Sequence, residues 1–148
     1  MLRVRLICVG KLKESFYITA CEEYRKRLSR YCDLEIAELP ESGSLERDGA
    51  AVLEKIPAGA CLAALCVEGT LFSSPELADL IRREMNGGTS RLCLVIGGSD
   101  GLWDGVKQRA DVKISLSRMT FPHHLARVIV LEQLYRAFNI LGGGKYHK

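Results

Sequence analysis

Val112-Lys113-Ile114-Ser115-Leu116-Ser117 reads as a strand that runs through Arg118-Met119-Thr120-Phe121-Pro122 into a long apolar segment reaching Leu141. A second strand end, Ile96-Gly97-Gly98-Ser99-Asp100-Gly101, lies just upstream. In open α/β sheets ligands sit beyond the carboxyl ends of the strands. Two such ends, both loaded with small or hydrogen-bonding residues, place the expected ligand site here.

Working outward, strands and helices alternate. Leu2–Val9 reads as a strand stopped by Gly10, and Lys13–Arg30 as a helix with Phe16, Ala20, Tyr24, Arg27 and Tyr31 on or near one face. Leu34–Leu39 is a strand ended by Pro40, Glu41–Asp48 is turn-rich, and a short helix follows to Lys55. The apolar run Ala60–Val67 has the length and composition of a buried strand. Ser73-Ser74-Pro75-Glu76 carries Ser-x-x-Glu spacing with proline in the first turn, the signature of a helix start, and that helix runs to Met85. Leu92–Ile96 is a fourth strand, Trp103–Arg109 a helix, Val112–Leu116 the last strand, and Pro122–Leu141 the last helix. Five strands alternating with helices predict a single α/β domain built on a parallel sheet.

The Pro122–Leu141 helix is apolar over an unusually wide arc. Val128, Val130, Leu131, Leu134, Tyr135 and Phe138 spread across roughly 200°, about twice what packing on one sheet face uses. Either the helix is buried within one chain, or it also meets a second subunit. Arg127 projects into the middle of that arc, where a charge must find a partner, a phosphate or solvent.

Composition describes an ordinary globule, 47% hydrophobic and 26% charged, long enough at 148 residues to bury roughly 68–70% of its unfolded surface. No apolar run approaches the about 20 residues of a membrane span, and charges inside Met1–Leu6 exclude a signal peptide, so the expected compartment is the cytoplasm. The six cysteines form no C-x-x-C pair and read as buried, reduced thiols. Net charge is only +3 but uneven: residues 118–148 hold five Lys/Arg against one acid, and 11–30 hold six against three. Two basic segments suit a polyanionic partner or simply solvated helix faces.

Gly97-Gly98-Ser99-Asp100-Gly101 lacks both the Lys-Ser/Thr of a P-loop and dinucleotide spacing, so it is either a close approach for a ligand or a plain tight turn. Adjacent His123 and His124 lie about 100° apart on a helix and do not converge on one metal. Tyr146-His147-Lys148, after three glycines, combines an aromatic, an imidazole and a cation, suited to stacking, proton transfer and phosphate contact.

As an ordered set these residues resemble the RlmH (YbeA-type) family of SPOUT-class RNA methyltransferases over essentially the whole chain. The pieces are Val9-Gly10-Lys11-Leu12-Lys13-Glu14, Glu23-Tyr24-x-Lys26-Arg27-Leu28, Glu68-Gly69-x-x-x-Ser73-Ser74 and Val95-Ile96-Gly97-Gly98-Ser99-x-Gly101-Leu102. Ser117-x-Met119-Thr120-Phe121-Pro122-His123, Glu132-Gln133-x-Tyr135-Arg136-Ala137 and Tyr146-His147-Lys148 complete it. The resemblance implies a SPOUT fold, a parallel sheet whose C-terminal part forms a deep trefoil knot, working as a homodimer without metal. It implies methyl transfer from S-adenosylmethionine to N3 of the pseudouridine at position 1915 of 23S rRNA in the assembled ribosome. The implied cofactor residues are Leu65, Gly97, Leu116, Ser117, Arg118, Met119, Thr120 and Phe121. For catalysis we expect His147 as base with Tyr146 and Arg136, and for RNA contact Arg127, Lys145 and Lys148. Two departures stand out, a short Glu41–Asp48 segment that reads as peripheral and the triple glycine before Lys145. The rival is a non-catalytic RNA-binding protein on the same fold, which stoichiometric cofactor binding separates.

Overall fold

The computed structural model describes residues 1–148, along which β1 (Arg3–Val9), α1 (Ser15–Leu28), β2 (Asp33–Leu39), α2 (Leu45–Glu54) and β3 (Cys61–Leu71) alternate. They are followed by α3 (Ser74–Asn86), β4 (Arg91–Ile96), α4 (Asp104–Arg109), β5 (Val112–Ser115) and α5 (His123–Leu141). All pairings are parallel and the sheet order is β2-β1-β4-β3-β5. Each parallel neighbour needs a crossover, and the helices supply it. All five expected strands and five expected helices are present, with ends shifted by a few residues.

Alternate residues of the strands feed two separate cores, as the period of two requires. Leu2, Val4, Leu6 and Cys8 of the β1 segment face α1, α3 and α5, whose Leu28, Ile81, Leu131 and Leu134 are fully buried. Ile7 and Val9 face the other way, onto Val52 of α2 and Val106 of α4. There Gly49 and Gly105 make room for the indole of Trp103; a Cβ at either would lie 2.6 or 2.4 Å from it. Ser73 caps α3 by accepting from the Glu76 amide while Glu76 accepts from the Ser73 amide, the reciprocal box expected from the spacing.

β3 departs from expectation by continuing past Val67 to Leu71. Its ladder with β5 breaks there: Leu65 and Thr70 both sit opposite Ile114, so Cys66–Gly69 bulge out. Periodicity cannot register such an excursion, because the strand resumes on the same partner.

Part of α5's wide arc is used inside the chain. The helix packs between α1 and α3 on the sheet, and Val130, Leu131, Leu134, Ala137 and Phe138 are buried. Leu125 and Ile129 belong to neither core and remain half-buried. All six cysteines are free, five of them buried. Burial pushes the Cys8, Cys32 and Cys61 thiols up to about 12, so they stay protonated. No helix is long and apolar enough to cross a membrane.

Candidate active site

The carboxyl ends of β3, β4 and β5 open onto a cleft of about 620 Å³, within the range of small-molecule sites. Seven of the eight expected cofactor residues line it: Leu65, Gly97, Leu116, Ser117, Met119, Thr120 and Phe121. Arg118 does not; it is exposed on the outside of the same loop. The β3 bulge adds Cys66, Val67 and Glu68 to its lining.

The glycine turn after β4 serves both readings at once. Gly98 and Gly101 bridge each other, the Gly101 amide donates to the Gly98 carbonyl at 3.1 Å, and Gly101 adopts φ +85°. A Cβ at Gly97 would lie 2.4 Å from the Gly101 carbonyl oxygen. Gly97 is therefore required by the turn itself, and Gly97→Val would break the turn rather than merely fill the cleft. The Glu41 segment is not peripheral, as its sequence suggested. Glu41 Oε1 accepts from the Ser99 amide at 2.6 Å and from Ser99 Oγ at 3.0 Å, tying the β2–α2 loop to the turn. Nothing in the local sequence marks this, because the partners are fifty-eight residues apart.

The β5–α5 loop is held by its own serines. Ser115 Oγ donates to the Ser117 carbonyl at 2.9 Å, and the Met119 amide donates to Ser117 Oγ at 3.0 Å. This leaves Met119 74% exposed over the cleft. Glu68, Lys107 and His123 also line the cleft and were not among the expected cofactor residues. Glu68 pairs with Lys107 at 2.5 Å; the hydrogen bond from Lys107 holds the Glu68 carboxyl below its usual range and raises the lysine in turn. Burial, followed by neighbouring His124, lowers the His123 pKa, which favours the neutral imidazole.

Arg127 was expected at the RNA, and this is corrected. It is 3% exposed, with Nη1 on Glu38 Oε2 at 2.6 Å and Nη2 donating to the Gly10 carbonyl at 3.1 Å. The partner demanded by its apolar surroundings is a carboxylate at the end of β2, on an element sequence alone does not place beside α5. Lys145 and Lys148 are exposed, as phosphate contact requires.

The C-terminal segment is not a loose arm. Tyr146 donates from its amide to Asn139 Oδ1 at 3.1 Å and from its hydroxyl to Glu132 Oε1 at 3.0 Å. Its ring packs edge-on against Tyr135, and the Arg136 guanidinium lies over it. Burial and the Glu132 hydrogen bond push the Tyr146 phenol up to about 12. Arg136 is 3.1 Å from His147 Nδ1 and paired with Glu132 at 2.6 Å. So Tyr146, His147 and Arg136 are brought together, as expected, but not with the cleft. From Ala126, at the cleft, to Arg136 the helix advances about 15 Å.

An open parallel sheet with a nucleoside-sized cleft over its carboxyl edge and a glycine turn at the mouth defines an α/β enzyme that binds a small ligand at strand ends. More particularly, the family model described as "Predicted SPOUT methyltransferase" matches residues 2–147, and the chain belongs to that family. It is 44% identical over 160 aligned residues to the Ribosomal RNA large subunit methyltransferase H of Oenococcus oeni, covering 100% of both chains. The proteins of that name from Bacillus pumilus and Clostridium novyi are 43% and 45% identical over 159 residues, each covering 99% of this chain and 100% of the relative.

Proposed function

We propose that this chain transfers a methyl group from S-adenosylmethionine to N3 of a pseudouridine in 23S rRNA on the assembled ribosome. The observation that carries the reading is that three separate strand ends bring seven of the residues implied by the resemblance to one cleft. The cleft fits the cofactor: Leu65, Ile96 and Leu116 offer apolar walls for a base, while Glu68, Ser117 and Thr120 offer hydrogen-bonding groups. When bound, the cofactor supplies an electrophilic methyl on a sulfonium. The protein's share is to hold the nucleophile in line and to exclude water, which is positional catalysis. N3 must also lose its proton, and each unit by which the base's pKa falls short of the imide's costs about 1.4 kcal/mol. His147 is the base in this reading. Arg136 donates to its Nδ1 lone pair, so the neutral ring carries its hydrogen on Nε2 and takes the N3 proton at Nδ1 once Arg136 lets go, while Tyr146 anchors the segment on α5.

The base reaches the cleft through a second subunit. About a two-fold axis a helix meets its own copy, residue i on j and j on i. An antiparallel crossing of α5 places one subunit's Arg136–His147 end beside the other's His123 end. Half-buried Leu125 and Ile129 support this interface. The proposal extends to the knotted C-terminal half. Its support is membership of the SPOUT methyltransferase family.

The deciding experiment is transfer of labelled methyl to ribosomes lacking the modification, followed by nucleoside analysis. Absence of N3-methylated product under saturating cofactor would overturn the proposal. Two variants probe its parts. Thr120→Trp puts bulk into the cleft from an exposed position; calorimetry should show cofactor binding weakened by roughly tenfold or more, with the melting temperature nearly unchanged. Ile129→Glu paired with Leu125→Glu should convert a dimer to a folded monomer in sedimentation. Val130 and Leu134 are unsuitable for this, being 3% and 0% exposed within one chain.

A further inference from the structure

A run of aromatic rings leads out of the cleft to the surface. His123 lines the cleft, its ring centroid is 4.1 Å from that of His124, His124 is 6.2 Å from Tyr17 edge-on, and Tyr17 is 4.5 Å from Phe16. Phe16 ends the run 65% exposed, an uncommon position for a phenylalanine with no ring beyond it. The turn before α1 adjoins the same place: a Cβ on Gly10 would be 3.4 Å from His123 Nε2. Lys11 and Lys13 in that turn are exposed, and the one acid among them, Glu14, faces His124 at 3.4 Å. The ledge is thus aromatic along its length and cationic along its rim.

Resting on the RNA methyltransferase reading above, we propose that this ledge binds single-stranded RNA next to the target nucleotide. A flanking base stacks on Phe16, and Lys11 and Lys13 neutralise the adjoining phosphates. Aromatic faces bind any base by stacking while cations track the backbone, the combination used wherever single strands are held. Neither core needs Phe16, since it belongs to neither apolar cluster. The order of the rings gives the direction: a strand lying on Phe16 continues toward His123 and the cleft.

The test compares Phe16→Ala with Phe16→Trp on ribosomes lacking the modification. Phe16→Ala should raise the KM for ribosomes by about tenfold to a hundredfold, with kcat within about twofold and cofactor affinity and oligomeric state unchanged; Phe16→Trp should restore the KM. An unchanged KM in Phe16→Ala overturns the ledge, and so does dissociation of the dimer, which would make Phe16 a subunit contact instead. If the wild-type enzyme methylates no ribosome, the functional reading fails separately. The ledge is then decided by fluorescence: a single-stranded uridine-rich RNA oligonucleotide should quench Phe16→Trp beyond the quenching of wild type, whose one tryptophan is Trp103. Equal quenching overturns the proposal.

Discussion

Deleting Tyr146–Lys148 should leave a folded protein that binds cofactor and has lost methyl transfer by orders of magnitude. The fold survives because Glu132, the anchor of the Tyr146 hydroxyl, keeps Arg136 as its partner through Nε at 3.0 Å and Nη2 at 2.6 Å. No buried carboxylate is orphaned, and the Tyr135 ring is merely uncovered. His147→Ala should lose about 10²–10⁴-fold if the imidazole takes the N3 proton. Because His147 is held far from its own chain's cleft, complementation is decisive. Truncated subunits should be inactive alone, and Thr120→Trp subunits strongly impaired when cofactor is held near the wild-type Kd. Mixed and allowed to exchange, they should regain activity, since each heterodimer unites one intact cleft with one intact C-terminal segment. Failure to recover in proven heterodimers would confine the chemistry to one chain. Normal turnover by the truncated enzyme would remove the segment from catalysis altogether.

What was legible in the sequence was whatever is local. The Ser73–Glu76 cap, the apolar runs of β1 and β4 and the Gly142–Gly144 stop act over a few residues, and each is where its pattern placed it. The cleft was legible too, because strand ends in a parallel sheet share one edge and the glycine turn and the 116–121 loop mark two of them. Long-range polar pairs were not. Arg127 announced that it needed a partner but not that Glu38, 89 residues away, would be it. Glu41 gripping Ser99 and Lys107 gripping Glu68 left no periodic trace, since a surface carboxylate and a site carboxylate look alike in sequence. The docking of the C-terminal segment was not legible for a related reason. Three glycines predict mobility by entropy, yet Asn139, Glu132 and Tyr135 on the preceding helix offer a docking face whose contribution composition cannot count.

The Arg127–Glu38 pair should show an asymmetric response to mutation. Arg127 is 4% exposed at the side chain whereas Glu38 is 34% exposed, so the two orphans differ. Glu38→Gln leaves a permanently charged guanidinium in an apolar helix face, and breaking a buried pair this way costs about 3–5 kcal/mol. Arg127→Met leaves a carboxylate that water reaches and a Gly10 carbonyl without its donor, a loss nearer 1–2 kcal/mol. Chemical denaturation at neutral pH should therefore rank Glu38→Gln below Arg127→Met; the reverse order would mean that Arg127 finds solvent or another partner. Acid adds a second check. Burial works to raise the Glu38 pKa, but the hydrogen bonds from Arg127 and the Leu12 amide and the Arg127 charge outweigh it and hold the carboxyl below its ordinary value. A depressed carboxylate contributes its full stabilisation above its unfolded pKa, about 4.3, and loses it as pH falls through the folded value. Wild type should lose stability on acidification below about pH 5 more steeply than Glu38→Gln, which has no group to titrate there. Arg127 ties Gly10 and Glu38 to the second turn of α5, one helical turn from His123 at the cleft. Cofactor affinity of Arg127→Met measured well below its melting temperature should consequently fall, since His123 and the loop leading into α5 lose their anchor on β1; unchanged affinity would show that the loop serines alone hold the site.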